Sequence, residues 1–299
     1  MATRFKNGVV KYFKDNIGII IALVAMFIFL TVFPTTRSTF LTPKNMFNIL
    51  RQNASNLFLA TGMTMVIILG GIDLSVGSVI ALSGVVAAGC VVNFGLPEAV
   101  GFIAAIAVGA AVGLFNGFII CKTDIPPFIV TLASMNITKG IALVLTGGAP
   151  IRCMTDAFKF PGAGYVGPVP TPVILMFIIF ILAALMINKT QLGRHIYAVG
   201  GNVEAARLSG ILVNRIKYLV FAISGFFAGL AGIVMLSRTN SGNTSSGADG
   251  FEFEVITCVV LGGVSITGGY GKMSGVVAGT FIIGALKNGM VLMDVNSYA

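Results

Sequence analysis

Long uninterrupted runs of apolar residues restrict this chain to one structural class. Residues 17–33 and 171–187 contain no charged side chain, and seventeen residues of α-helix measure about 26 Å, near the thickness of a bilayer core. Strands of a membrane β-barrel alternate apolar and polar residues over about ten positions, and these runs do not. Only 10% of the residues are charged, against about 25% in soluble domains. The sequence therefore predicts an all-α, polytopic integral membrane protein and excludes a soluble globular enzyme.

Nine apolar segments are candidates for membrane spans, with the eighth expected to be short, bent or partial. They are residues 17–33, 43–69, 75–93, 99–121, 128–146, 170–188, 217–237, 252–266 and 273–293. The second span begins with Thr42 and Pro43, which are typical of a helix N-cap and first helical position. Its first half is semi-polar, so it either starts in the outer interface or faces a polar cavity.

The distribution of basic residues predicts the orientation of the chain. With a cytoplasmic N-terminus, the inner segments (1–16, 71–74, 122–127, 189–217 and 266–273) hold eleven Lys and Arg against four Asp and Glu. The outer segments hold six Lys and Arg in total, and six Asp and Glu in total. Because basic residues accumulate on the cytoplasmic side of membrane proteins, Arg207 is predicted to be cytoplasmic and Thr244 to lie outside. The same pattern explains the net charge of +9 without nucleic-acid binding.

Glycine spacing predicts close packing of particular helices. Gly109, Gly113 and Gly117 recur every four residues, as do the pairs Gly225/Gly229 and Gly275/Gly279. Small residues at this spacing let helix backbones approach closely within lipid.

The chain also resembles itself. Residues 67–75 are similar to residues 259–267 at an offset of 192, and residues 83–87 are similar to 274–278 at an offset of 191. Such a parallel repeat occurs in transporters, although chance similarity of Gly- and Val-rich helices is the alternative. A repeat in step would place the partner of span 99–121 at about 290–312, beyond Ala299. We therefore expect a single transmembrane domain over 1–299 with nine spans of an expected ten, the last lying after Ala299.

The inner segment 189–217 contains a pattern typical of a short capped helix, in residues 200–210 (GGNVEAARLSG). Asn202 is a good N-cap, Glu204 lies in the first turn, where the helix dipole favours an acid, and Gly210 suits the left-handed position after the helix. A helix of about seven residues is too short to be stable alone. It therefore requires a surface on which to dock.

These residues resemble the cytoplasmic loop of ABC importer permeases. The similarity is greatest to the monosaccharide-uptake permeases of the ribose, galactose and xylose systems, above all to the ribose type. It extends over nearly the whole chain and is strongest in residues 70–78 (GGIDLSVGS), 190–202 (TQLGRHIYAVGGN) and 259–263 (VVLGG).

The resemblance implies an importer subunit in the bacterial cytoplasmic membrane that carries a ribose-like monosaccharide. Its implied partners are a second copy of the permease, a separate ATP-binding subunit and an extracytoplasmic sugar-binding protein. ATP would be bound by the partner subunit, so no cofactor is expected in this chain. Segment 189–217 would couple to the ATPase, through Gly200, Gly201, Asn202, Glu204, Ala205, Ala206, Ser209 and Gly210.

The residues themselves suggest no catalytic chemistry. The sequence contains no Walker A motif, and neither the single histidine, His195, nor the four cysteines, among them Cys153, have the spacing of metal ligands. Asp73 is predicted to cap the helix that follows it, and a gating or structural polar contact is the alternative. Lys139 and Lys287 either pair with Glu252 or Glu254 or line a polar pathway.

A neutral sugar requires hydrogen-bonding partners within the spans. The candidates for the pathway are Asn53, Asn56, Thr64 and Asn136. Permeases for branched-chain amino acids or nucleosides remain alternatives, as does an ion-coupled secondary transporter. The last would need acidic residues inside the membrane, and the cores of the predicted spans contain none.

Overall fold

The computed structural model describes residues 17–152, 155–242 and 250–295, so Cys153 and Thr244 lie outside the described residues. Within these ranges the chain forms twelve helices and two very short antiparallel strand pairs. The helices are α1 (Ile17–Val32), α2 (Pro43–Ile68), α3 (Val76–Val92), α4 (Glu98–Lys122), α5 (Pro127–Thr146), α6 (Asp156–Ala163), α7 (Thr171–Lys189), α8 (Gln191–Gly201), α9 (Val203–Leu208), α10 (Val213–Thr239), α11 (Phe251–Leu261) and α12 (Met273–Leu292). Strand β1 (Ile151–Arg152) pairs with β4 (Ser241–Gly242), and β2 (Tyr165–Val166) pairs with β3 (Val169–Pro170).

Each of the nine predicted segments overlaps one helix, with bounds that differ by up to five residues, and the number of helices that cross the membrane stays a prediction. Among the described residues, five helices are long and apolar enough to cross a membrane, namely α4, α5, α7, α10 and α12. Helices α1 and α3 are apolar but shorter. Helix α11 has only 11 residues, so the eighth predicted segment is short, as expected. The all-α, polytopic fold class is therefore confirmed.

Helix α2 runs through the centre of the bundle. Every residue from Asn53 to Ile68 is buried, and α7, α10, α11 and α12 pack around it. Thr42 caps its start, since the Thr42 hydroxyl oxygen accepts a hydrogen bond from the Asn45 amide at 3.3 Å. A helix that is apolar on all sides is stable only when it is enclosed, and the second half of α2 (LFLATGMTMVII) meets that description.

The glycine repeat brings α4 and α10 into backbone contact. A Cβ added to Gly113 would overlap the Phe221 carbonyl oxygen and lie 3.1 Å from the Gly225 amide nitrogen. A Cβ on Gly109 would lie 3.0 Å from both Cα and N of Gly229. Residues other than glycine could not occupy these positions without moving a helix, so the predicted close packing is confirmed.

The segments predicted to share a side of the membrane meet at the same end of the bundle. At one end the Gly269 amide donates to the Ile68 carbonyl at 2.8 Å, and the Tyr197 hydroxyl donates to the Gly271 carbonyl at 2.7 Å. At the other end, β1 pairs with β4, and Asn45 and Asn288 exchange two amide hydrogen bonds of 2.9 Å. We call these the inner and outer ends; which of them faces the cytoplasm remains a prediction.

The internal repeat is visible in how two helices end, but with a different register. Gly70 after α2 and Gly263 after α11 both adopt left-handed φ angles, of 91° and 82°. The next amide then donates back to the helix, Gly71 to the Val66 carbonyl at 2.9 Å and Val264 to the Val259 carbonyl at 3.3 Å. Gly70 therefore corresponds to Gly263, one residue away from the predicted offset. A left-handed turn favours glycine, and in the second copy the turn uses the second of two adjacent glycines.

Candidate functional site

A polar cavity of about 430 Å³ opens at the outer end of the bundle. Its walls come from the first half of α2, the end of α10, the start of α11 and the second half of α12. Apart from Phe251 and Gly284, every residue that lines it is polar or charged: Asn48, Arg51, Gln52, Asn53, Asn56, Arg238, Glu254 and Lys287. The semi-polar half of α2 thus faces a polar cavity, one of the two predicted placements.

Two buried asparagines form the deep part of this cavity. Asn53 is 1% exposed and Asn56 is 6% exposed. The Asn56 Nδ2 donates to Glu254 Oε1 at 2.8 Å. Among the described residues, the Asn53 Nδ2 and the Asn56 Oδ1 have no hydrogen-bond partner. Gly284 on α12 leaves room for the Asn53 amide, which a Cβ at that position would overlap.

Charged groups of both signs surround the asparagines. Lys287 forms an ion pair with Glu254, which confirms one of the pairings that the sequence suggested. Arg51 donates to the Tyr165 hydroxyl, and its guanidinium carbon lies 5.0 Å from the centre of that ring. Among the described residues, no carboxylate forms an ion pair with Arg238. The lining therefore offers both hydrogen-bond donors and acceptors, with a surplus of positive charge.

The other two candidates for the pathway lie elsewhere. Thr64 is fully buried further along α2, and its hydroxyl donates to the Ala60 carbonyl at 2.5 Å. Asn136 is exposed on α5, where its Nδ2 donates to the Leu132 carbonyl at 3.0 Å. The structure thus brings Asn53 and Asn56 together and separates them from Thr64 and Asn136. Sequence position alone could not reveal this, because the grouping depends on which helices pack around α2.

At the inner end, segment 189–217 contains two helices where the sequence indicated one. The additional helix, α8, is capped by Thr190, whose hydroxyl oxygen accepts a hydrogen bond from the Gly193 amide at 3.3 Å. Its buried residues include Ile196 and Val199. The threonine cap and the apolar residues at helical spacing were the signals that could have predicted it.

Helix α9 has the caps that the sequence predicted. The Asn202 Oδ1 accepts a hydrogen bond from the Ala205 amide at 2.9 Å, and Glu204 pairs with Arg207 at 3.0 Å. Gly210 has a φ angle of 82°. Of the remaining predicted coupling residues, Ala206 is buried, whereas Ala205 and Ser209 are exposed.

The face of the segment that points away from the bundle is partly apolar. Leu208 is 88% exposed and Leu212 is 67% exposed. Both leucines lie among charged and polar residues of the segment.

Gly200 seats α8 directly on the inner end of α2. A Cβ on Gly200 would overlap the Ile68 carbonyl oxygen and lie 2.8 Å from the Gly269 amide nitrogen. Gly201 is different, since a Cβ there would have no neighbour within 4 Å. The Tyr197 hydroxyl, which donates to Gly271, holds the same surface, and burial raises the pKa of this phenol.

Asp73 does not occupy the N-cap position of α3, which belongs to Ser75. The Asp73 Oδ1 accepts hydrogen bonds from the Ser75 amide at 3.0 Å and the Ser75 hydroxyl at 2.6 Å, while Oδ2 accepts one from the Ser224 hydroxyl at 2.8 Å. Asp73 is 1% exposed, and burial raises the pKa of its carboxyl, against the opposing effect of these hydrogen bonds. The side chain therefore ties the α2–α3 turn to α10, a contact that only the tertiary structure creates.

Within 17–152, 155–242 and 250–295, no group of three or more His, Cys, Asp or Glu could hold a metal ion.

Comparison with protein families places these features in context. Residues 45–299 match the family described as branched-chain amino acid transport system / permease component. The chain is 43% identical to the ribose import permease protein RbsC of Escherichia coli (strain K12) over 281 residues, covering 93% of this chain and 87% of that protein. It is 40% identical to RbsC of Bacillus subtilis (strain 168), covering 92% and 85%. It is 34% identical to the xylose transport system permease protein XylH of E. coli K12, covering 93% and 86%.

The fold also resembles that of a solved structure. An inward-facing conformation of a metal-chelate type ABC transporter superposes with a TM-score of 0.51 and 15% sequence identity, covering 93% of this chain and 89% of that chain. At this identity the likeness concerns the arrangement of helices alone.

Proposed function

This chain belongs to the branched-chain amino acid transport system / permease component family and is a multi-pass permease of the bacterial cytoplasmic membrane. From this premise we propose that it carries a ribose-like monosaccharide into the cell. The relatives named ribose import permeases, at 40–43% identity over more than nine tenths of the chain, support this substrate. The outer cavity favours a sugar over a branched-chain amino acid, because Phe251 is the only side chain of the lining without a polar group.

The energy for transport comes from a separate subunit that binds and hydrolyses ATP. We assign segment 189–217 as the coupling element, with α9 as the docking helix. Two features support this assignment: the exposed Leu208 and Leu212, and the caps that make a six-residue helix possible. The residues assigned to coupling are Gly200, Gly201, Asn202, Glu204, Ala205, Ala206, Ser209 and Gly210. An extracytoplasmic sugar-binding protein delivers the sugar, and a second copy of the chain completes the pathway.

One observation carries this proposal above the others: α2 connects the two ends of the molecule. Its first half contributes Asn53 and Asn56 to the cavity, and the carbonyl of Ile68, its last residue, accepts from the Gly269 amide and lies against Gly200. Because the second half of α2 is buried on all sides, a close-packed interior transmits a displacement at one end to the other. Movement of α8 and α9 on the ATPase is thus linked to the cavity through a single helix.

The test compares charge reversals at two acidic residues, each in the first turn of a short helix, at opposite ends of the helix bundle. Glu204→Lys on α9 reverses a charge that pairs with Arg207, and Asp156→Lys on α6 reverses one that pairs with Lys159. Both place a lysine at the positive end of a helix dipole, so their effects on local helix stability are matched. We expect Glu204→Lys to abolish sugar uptake and to weaken co-purification of the ATPase subunit, and Asp156→Lys to leave both unchanged.

A second variant tests the shape of α9 without altering its charge. Gly210→Pro removes the left-handed turn, because proline fixes φ near −65°, and it should uncouple the permease in the same way. Normal transport by both Glu204→Lys and Gly210→Pro, with the ATPase still bound, would exclude α9 as the coupling helix. Equal loss in Asp156→Lys would show that the charge reversal acts on folding alone.

A further inference from the structure

We propose that the outer cavity is a monosaccharide-binding site contained within a single permease chain, so that the permease itself binds the sugar in the absence of its partners. The inference rests on the proposed function, which names monosaccharides as the transported class of compound. It adds the site at which the permease binds them. Its basis is the convergence of unpaired, buried polar atoms on one cavity. The volume of about 430 Å³ lies within the range of small-molecule sites, about 300–1,000 Å³.

The two amides that line the cavity carry hydrogen-bonding groups without a partner among the described residues. Buried polar groups are almost always hydrogen-bonded, and an unpaired one costs the free energy of its lost hydration. The Asn53 Nδ2, a donor, and the Asn56 Oδ1, an acceptor, are both buried and have no partner. Both side chains line the cavity, and an unpaired donor together with an unpaired acceptor matches the hydroxyl group, which both donates and accepts.

The remaining lining agrees with a sugar. The buried Nε of Arg51 also has no partner, and Glu254 and Lys287 add further acceptors and donors. Phe251 offers an apolar ring for the C–H face of a pyranose or furanose.

The mixture of donors and acceptors argues against an anionic ligand. The positive charges of Arg51 and Arg238 would attract a carboxylate or a phosphate. However, an acceptor-only anion would leave the Asn56 Oδ1 unpaired and would approach the carboxylate of Glu254, which bonds to Asn56. A neutral polyhydroxyl compound satisfies both kinds of group.

The experiment exploits the absence of tryptophan from the sequence. Phe251→Trp places a single tryptophan in the cavity, and Gln52→Trp, on the exposed rim, provides a second reporter. Each variant is purified in lipid nanodiscs without ATPase or sugar-binding protein, and its fluorescence is recorded while D-ribose is added. D-ribonate, which has a similar polyol chain with a carboxylate, is the anionic probe, and sucrose corrects for changes in the solution.

We expect a saturable change with D-ribose in at least one reporter and a weaker response to D-ribonate. Adding Asn53→Leu or Asn56→Leu to the reporter should raise the Kd about tenfold, the equivalent of one neutral hydrogen bond. Thr280→Val is the matched control, since Thr280 is buried on α12 outside the cavity and its hydroxyl donates to the Val276 carbonyl at 2.8 Å. It should leave the Kd unchanged.

Thermal unfolding separates loss of binding from loss of fold. Because the Asn53 Nδ2 has no partner, Asn53→Leu should not lower the Tm of the sugar-free permease. No saturable change in either reporter, an unchanged Kd in both asparagine variants, or a stronger response to D-ribonate would overturn the inference. Uptake by the permease reconstituted with its ATPase and binding protein is measured in parallel: uptake of D-ribose without binding to the isolated permease refutes only this site, whereas absence of uptake refutes the proposed function.

Discussion

Gly200→Ala tests whether the contact between α8 and α2 holds the two ends of the permease together. The added Cβ would overlap the Ile68 carbonyl oxygen and lie 2.8 Å from the Gly269 amide nitrogen, although ordinary contacts begin at 3.4 Å. Both neighbours are backbone atoms, which cannot rotate away as a side chain could. Therefore α8 must move away from α2, or the end of α2 must distort.

The cost follows from the matched position one residue later. Forcing an extra carbon into a close-packed contact typically costs about 1–3 kcal/mol. At Gly201 a Cβ has no neighbour within 4 Å, so Gly201→Ala carries no steric cost and gains up to about 1 kcal/mol of helix propensity. Gly200→Ala should consequently be less stable than Gly201→Ala by at least about 1 kcal/mol.

The measurement is thermal unfolding of both variants in nanodiscs, together with sugar uptake in the reconstituted transporter. We expect a lower Tm for Gly200→Ala than for Gly201→Ala, and reduced uptake per ATP hydrolysed in Gly200→Ala. If the two variants unfold and transport alike, the contact between Gly200 and Ile68 has no role in stability or coupling.

Two further predictions concern the interior. Gly113→Ala should lower the free energy of unfolding by about 1–3 kcal/mol, since its Cβ would meet the backbone of Phe221. Gly140→Ala is the control and should not lower it, because a Cβ there meets no described atom within 4 Å. Equal Tm values for the two variants would contradict close packing of α4 on α10. Asp73→Asn tests how stability depends on pH. Burial raises the folded-state pKa of Asp73 above its ordinary value of 3.8, so the protonated carboxyl favours the folded state. This stabilisation is present below about pH 4 and is lost as the pH rises through the raised pKa. The Asn variant, which cannot titrate, should therefore show a flatter dependence of Tm on pH above about pH 4 than the wild type, and parallel profiles would show that Asp73 keeps an ordinary pKa.

Much of the fold could be predicted from local features of the sequence. Apolar runs gave all nine candidate spans, because a helix in lipid must satisfy its own backbone hydrogen bonds and display apolar side chains. Caps are equally local, so Asn202 and Gly210 could be recognised around α9. Helix α8 was not predicted because its three glycines lower its helix propensity, although Thr190 marks its start and its apolar residues recur at helical spacing.

The groupings of residues were decided by the tertiary structure alone. The sequence named Asn53, Asn56, Thr64 and Asn136 as equivalents, yet only the first two share a cavity. Asp73 reads as a helix cap, but Ser224, 151 residues away, accounts for one of its hydrogen bonds.

The physical reason is the range of the interactions. Lipid compatibility, capping and left-handed turns depend on a residue and its near neighbours, so the sequence by itself determined an all-α permease with a capped inner loop. Cavities and contacts such as Gly200 against Ile68 depend on which helices enclose α2, and in lipid that choice rests on shape and hydrogen bonding between distant segments. Only the folded chain places Asn53 against Gly284 and leaves its amide without a partner.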